Sequence, residues 1–257
     1  MAALEIYQLE GGYCYNTDSL ILAHFARDSL KKNARVLDIG AGCGVIGALL
    51  AREARDGDKP IELDLIEKDE LSSALAWRNT RAFNARVFCA DFTQFSPPHK
   101  YDMLVSNPPF YTQGALLGQN ERKNMARHAH FLPLPILLKQ AKRALKPNGI
   151  LCFCYEARST PLVLHSLLDC GFSAQVLRFV YPLKDRESSL LLVRAKISHN
   201  QTTRILPALF THQGPSQMDN TQELCEIYAW AQTQSIKLGE EAALKMLRDK
   251  QEAENLL

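Results

Sequence analysis

No stretch of this chain is long and apolar enough to cross a bilayer. The longest runs, such as Val45 to Ala51, fall far short of the roughly 20 residues that a spanning helix needs. Residues 1–10 lack a basic segment leading into an apolar one, so no export signal is visible and a cytoplasmic protein is expected. Cysteine is present without a disulfide pattern: seven is an odd count, and Cys43, Cys89, Cys152 and Cys154 sit inside apolar runs, as reduced core thiols do. Cys152-x-Cys154 alternates along a strand-like run and has no second pair at ligand spacing. No other His/Cys/Asp grouping has metal-ligand spacing, so no metal is expected. There is no Gly-x-Ser-x-Gly elbow, no Walker loop and no CxxC pair. Charge of neither sign dominates: 30 Lys and Arg stand against 28 Asp and Glu. Any nucleic-acid contact must therefore come from a local patch. No internal repeat is visible, and low complexity is confined to the polar stretch 213–222.

What is present reads as alternating strands and helices. Buried-strand patterns at 34–39, 61–66, 85–89, 100–106 and 150–155 are separated by helical patterns at 45–52, 70–82 and 133–146. A further helix, 161–170, leads to two β-rich runs, 174–181 and 188–197, joined by the polar turn 182–187 as a hairpin. Ahead of the first strand, Thr17 or Asp18 is placed to cap a helix that ends near Lys31-Lys32-Asn33. This order predicts an α/β fold: a mostly parallel, doubly wound sheet ending in an antiparallel hairpin. The segment from Gly239 reads as a surface helix.

The pattern centres on Tyr101 to Phe110, an apolar run that ends abruptly in Asn107-Pro108-Pro109-Phe110. Neither proline has an N–H for a sheet ladder, and the residue before each is pushed out of the α region. The strand must stop at Ser106 or Asn107, leaving Asn107 and Phe110 on a stiff, extended stub. In a parallel sheet that stub lies beyond a carboxyl end, where open α/β sheets bind ligands.

A second constellation is strand, Asp38-x-Gly40-x-Gly42-x-Gly44, helix. The glycines let a ligand approach the backbone, but the spacing is not the G-x-G-x-x-G of a dinucleotide fold. Asp38 is poorly placed for a pyrophosphate and well placed for an ammonium, directly or through water. Glu67, ending the next strand, suits two ribose hydroxyls. Asp91 ends the third strand as an acceptor for an adenine amino group, with Phe92 against the ring. Ammonium, ribose and adenine together point to S-adenosylmethionine (SAM).

On these residues, 34–155 resembles a class I SAM-dependent methyltransferase with a Rossmann-like core. Asn107-Pro108-Pro109-Phe110 resembles the (D/N)PP(Y/F) motif of enzymes that methylate exocyclic or amide nitrogens. Wider segments are similar to the bacterial tRNA1(Val) adenine-N6-methyltransferases: Asn16 to Ala23, Ala126-Arg127-His128, Lys184 to Val193, and Glu226-Ile227-Tyr228. The resemblance covers residues 6–230. It implies SAM as cofactor, held by Thr17, Asp18, Asp38, Gly40, Gly42, Gly44, Glu67, Asp91, Phe92 and Asn107. It also implies tRNA as partner, with Asn107, Pro108, Pro109 and Phe110 as the catalytic stub. One domain over 1–257 is expected: 1–33 packing on the SAM pocket, 34–197 as core, and 198–257 as an extension.

The chemistry is consistent with the stub. An aromatic amine is a poor nucleophile because its lone pair is delocalised. The Asn107 side-chain oxygen and the Pro108 carbonyl can each accept one of its N–H groups, aligning the lone pair and favouring positive charge as it develops. Arg122, Lys123, Arg127 and His128, with His130, are candidates for phosphate contact near the target base. Other substrates of the same motif are an rRNA guanine, a DNA adenine or a release-factor glutamine. The lack of a sizeable target-recognition domain argues against DNA. A catalytically silent SAM-fold RNA-binding protein would show degenerate glycines or a lost Asn, and neither is seen.

Overall fold

Alternation along the central strands sets the architecture. The structure, a computed structural model, describes residues 3–12, 14–109, 132–198, 202–216 and 218–255. In chain order the elements begin with β1 (Leu4–Leu9), α1 (Thr17–Arg27), β2 (Arg35–Ile39), α2 (Val45–Asp56), β3 (Glu62–Glu67), α3 (Glu70–Thr80), β4 (Arg86–Cys89) and β5 (Tyr101–Ser106). Then come α4 (Leu134–Ala144), β6 (Leu145–Glu156), α5 (Thr160–Asp169), β7 (Phe172–Tyr181) and β8 (Leu190–Ile197). Two short strands follow, β9 (Arg204–Ile205) and β10 (Leu209–Phe210), and then α6 (Gln222–Ala231), β11 (Thr233–Leu238) and α7 (Glu240–Asn255).

The main sheet has the order β10-β7-β8-β6-β5-β2-β3-β4, with β9 beside β7. Strands β2 to β6 pair in parallel, and β8 runs antiparallel to both β6 and β7. Successive residues of each strand enter different cores, as the period of two requires. Val36, Met103, Val105, Cys152 and Cys154 join one apolar layer with α1, α2 and α3. Leu37, Ile39, Leu104, Leu151 and Phe153 join the other with α4 and α5. Both faces are covered, so the sheet is doubly wound as expected.

Three local expectations are corrected. The N-cap of α1 is Asn16, not Thr17 or Asp18: its backbone is extended and its side chain accepts the Ser19 N–H at 3.4 Å. That helix ends at Arg27, well before Lys31-Lys32-Asn33, and the chain leaves through Asn33 at φ 60°. Strand β6 opens at Leu145, opposite Tyr101, so Pro147-Asn148-Gly149 forms an irregularity inside the strand instead of a separate stop.

The ends of the chain meet. β1 pairs in parallel with β11, Leu4 to Leu9 against Thr233 to Leu238. Helix α7 is docked on α3 and is not a free surface helix: Ala243 is fully buried, and Lys250 reaches Ser73 Oγ at 2.9 Å in the interior. No helix among the described residues is long and apolar enough to cross a membrane.

Candidate active site

Strand β2, inside the sheet between β5 and β3, ends at Ile39, where the glycine turn leads into α2. Gly40, Gly42 and Gly44 take φ of 64°, 55° and 79°, a region that side-chain-bearing residues rarely adopt. At Gly40 and Gly42 a Cβ would meet nothing within 4 Å, so their backbones face open space. Gly44 differs: a Cβ there would lie 3.1 Å from Ala76 and Leu65, so this glycine serves helix packing and does not line the cleft. The Gly40 and Ala41 amides are fixed on the Ile66 carbonyl at 2.9 and 3.1 Å.

The loop forms one wall of a cleft enclosing about 1230 Å³, open solvent at its mouth included. Glu67, Asp91, Phe92, Asn107 and Pro109 line it, with Leu9, Gly12, Tyr15, Ser19 and Leu132. Glu67 accepts the Gly42 amide at 2.8 Å on Oε2 and the Asp69 amide at 2.9 Å on Oε1. With the Lys68 amide as a third donor, the carboxylate still keeps an acceptor site for a further one. Burial pushes its carboxyl above the usual range, against the pull of those amides. Asp91 is more engaged than an acceptor for adenine needs to be. Its Oδ2 is 2.7 Å from Lys68 Nζ, and Oδ1 takes both the amide and hydroxyl of Thr93 at 2.9 and 2.7 Å. Burial acts to raise the Asp91 pKa, but the Lys68 ammonium and the Thr93 donors hold it below the ordinary value. Phe92 is nearly buried, its ring packed in the same core as Ile39 and Ile66.

Asp38 lies behind the loop and not on the cleft wall. It is 1% exposed; Oδ2 accepts the Gly47 amide at 2.9 Å, and Oδ1 has no partner among the described residues. Burial drives its pKa up to about 7, with the Gly47 amide opposing and the Glu67 charge adding to the rise. Thr17 and Asp18 also stand off the cleft: the Thr17 hydroxyl meets Tyr228 at 2.9 Å, and Asp18 takes the Asn16 amide group at 3.0 Å.

At the carboxyl end of β5, Ser106 Oγ donates to the Ile39 carbonyl at 2.9 Å and ties that strand end to the start of the glycine loop. Asn107 follows, half-buried, with Pro108 buried behind it and Pro109 on the cleft. Phe110, Arg122, Lys123, Arg127, His128 and His130 lie outside the described residues.

The chain as a whole has relatives. The methyltransferase small-domain family matches residues 13–173. The chain belongs to that family. It is a SAM-dependent methyltransferase. Among its relatives, the tRNA1(Val) (adenine(37)-N6)-methyltransferase of Erwinia tasmaniensis is 30% identical over 178 residues, 67% of this chain and 69% of the relative. The protein of the same name from Dyadobacter fermentans is 28% identical over 191 residues, 72% of this chain and 77% of the relative. In fold the chain is similar to a predicted O-methyltransferase of Agrobacterium tumefaciens, with a TM-score of 0.62 at 18% identity, covering 85% of this chain and 99% of that one. It is also similar to a putative class I SAM-dependent methyltransferase of Listeria monocytogenes, with a TM-score of 0.53 at 15% identity, covering 84% and 70%.

The residues of this methyltransferase fit SAM on two structural grounds. Gly40 and Gly42 present bare backbone to the cleft, and Asp38 Oδ1 is a buried acceptor without a donor. An unpartnered buried acceptor is costly, and a cationic ligand nearby would relieve it. Several members of the site were not foreseen. Ser19 donates no pattern that separates it from the helix start, and Cys154 reads only as a core thiol. Yet Asn107 Nδ2 reaches Ser19 Oγ at 3.2 Å, and the Cys154 thiol donates to Asn107 Oδ1 at 3.1 Å. Leu9, Gly12 and Tyr15 come from the N-terminal strand and its turn, where Gly11-Gly12 was the visible signal.

Proposed function

We propose that this methyltransferase methylates the N6 amine of an adenosine in tRNA, the position-37 adenosine beside the anticodon of a valine tRNA, with Asn107-Pro108-Pro109-Phe110 presenting the amine. The observation that carries the reading is Asn107 on the wall of the cleft that fits SAM, at the carboxyl end of β5. The relatives named as tRNA1(Val) (adenine(37)-N6)-methyltransferases support the choice of tRNA.

SAM, when bound, supplies an electrophilic sulfonium methyl. The chain supplies the geometry. Asn107 Oδ1 and the Pro108 carbonyl each accept an N–H of the amine, which orients its lone pair and stabilises the positive charge that grows on nitrogen. No strong base is required, because an arylammonium product is acidic and loses its proton afterwards. Phe110 stacks on the base, a contact worth about 1–3 kcal/mol. A base in such a site must be unstacked or already in a loop, which an anticodon loop provides. Arg122, Lys123, Arg127 and His128 are the candidates for the flanking phosphates. A tRNA substrate accords with the cytoplasmic setting expected from the sequence.

Purified protein, labelled SAM and tRNA from cells lacking the enzyme should give N6-methyladenosine in digested tRNA. Label confined to rRNA, DNA or protein would refute the substrate. Asn107→Ala should keep SAM affinity in a calorimetric titration and abolish transfer. Near-normal turnover would refute the presenting role.

A further inference from the structure

A carboxamide has two nearly isosteric ends, and only one of them can accept an amine N–H. An Asn107 that rotated freely about its terminal bond would offer its NH2 to the substrate about as readily as its oxygen. Something must hold the oxygen outward. Among the described residues, two buried side chains bond to the group. Cys154 is fully buried on β6, fixed by its pairing with Leu192, and its Sγ lies 3.1 Å from Asn107 Oδ1. Ser19, 4% exposed on α1, has its Oγ 3.2 Å from Asn107 Nδ2. Its own amide is held by the Asn16 side chain at 3.4 Å. The two partners come from opposite sides in sequence and bracket the carboxamide.

We propose that Cys154 and Ser19 are positioning residues that lock the Asn107 carboxamide with its oxygen available to the target amine. The inference rests on the amine-presenting role of Asn107 given above. The chemistry of the pair is directional. A thiol donates one weak hydrogen bond and leaves the second lone pair of Oδ1 free. The serine oxygen accepts from Nδ2, so the amide group has its own partner and no reason to turn. Reversal would set NH2 against sulfur, a poor acceptor, and lose the thiol bond, whereas the Ser19 hydroxyl can donate as well as accept, so Cys154 sets the direction and Ser19 braces it. Burial, reinforced by the nearby Asp18 charge, holds the Cys154 thiol well above its ordinary pKa and therefore protonated. A thiolate would be an acceptor and would draw the NH2 end around.

The test is Cys154→Val, which removes the donor but adds one methyl group in a fully buried site, alongside Cys154→Ser, which restores a donor. With undermethylated tRNA, Cys154→Val should lower kcat about tenfold, the effect of about one hydrogen bond. KM for tRNA and the calorimetric Kd for SAM should stay within about twofold. Cys154→Ser should recover most of the lost kcat. Nuclear magnetic resonance gives a readout independent of turnover: the Asn107 Nδ2 protons should be sharp in the wild type and broadened by rotamer exchange in Cys154→Val. If Cys154→Val binds no SAM because it does not fold, Cys154→Ala takes its place with the same expectations. Wild-type kcat together with unchanged line widths in the valine or alanine variant overturns the inference. So does a serine variant as slow as the valine one. If Asn107→Ala also turns over normally, the presenting role itself has failed; if Asn107→Ala is dead, only the positioning has.

Discussion

The Asn79 carboxamide makes with the Tyr7 peptide the two bonds that a neighbouring strand would make. Its Oδ1 accepts the Tyr7 N–H at 2.9 Å, and its Nδ2 donates to the Tyr7 carbonyl at 2.9 Å. The second Nδ2 proton goes to the Cys43 carbonyl at 2.8 Å, inside the glycine loop. One buried side chain on α3 thus joins the N-terminal strand to the loop that forms the cofactor cleft.

Asn79→Ala should therefore lower both stability and cofactor affinity. Three bonds are lost, and the Tyr7 and Cys43 groups are left without their partner. The expected loss is about 2–3 kcal/mol of unfolding free energy, read from denaturant melts. SAM affinity should fall as well, because Leu9 ends the strand that Asn79 holds and Gly12 follows it in the next turn. A variant with normal affinity and a wild-type midpoint would show that β11 alone secures β1.

A second polar knot lies away from the cleft. Asp64, 1% exposed, takes Arg86 through two bonds at 2.8 and 2.9 Å and the fully buried Tyr101 hydroxyl at 2.7 Å. Asp64→Ala should cost about 2–4 kcal/mol, since Tyr101 is left with a buried, unpaired hydroxyl. Tyr101→Phe removes one donor while Arg86 still compensates the carboxylate, so its cost should be about 1 kcal/mol. Chemical denaturation of both variants checks the order. Equal losses would mean that ring packing, and not the hydroxyl, dominates.

The features legible in the sequence are those written in contiguous residues. The turn Asp38 to Gly44, the strand-end acids and the break at Asn107-Pro108-Pro109 each announce themselves because glycine and proline restrict the backbone locally. The alternating strands and helices were legible as well, because the apolar period of each is written in contiguous residues. What escaped depends on distant pairings. Tyr7 and Asn79 are 72 positions apart, Asn107 and Ser19 are 88, and Cys154 is 47 from Asn107. Residues 4–15 looked mixed because β1 alternates exposed Glu5 and half-buried Tyr7 with buried Ile6 and Gln8, and the buried Gln8 is polar. The final helix looked like surface because its buried face rests on little more than Ala243 and the stem of Lys250. Asp91 reads as a free strand-end acid until Lys68 and Thr93 are seen to occupy it.

Asp38 carries a prediction about pH. Its pKa rises from 3.8 to about 7 on folding, chiefly by burial. A carboxyl with a raised folded pKa holds its proton more tightly in the folded chain. The ligand-free protein should then be favoured at acid pH and lose that contribution as pH rises from about 4 through about 7. Asp38→Asn, which cannot ionise, should melt higher than the wild type at pH 8 in the absence of ligand. Binding of SAM has the opposite dependence. If the SAM ammonium is matched to ionised Asp38, binding below about pH 7 must expel a proton, so affinity should weaken by up to about tenfold per pH unit. Titration calorimetry near pH 6, in buffers of different ionisation enthalpy, should register that released proton. Asp38→Asn should bind more weakly at pH 8 and lose both the proton release and most of the pH dependence. The raised Glu67 carboxyl also borders the loop, and the Asp38→Asn control separates its share. A wild-type affinity that is flat between pH 6 and pH 8 would rule out Asp38 as the counter-charge.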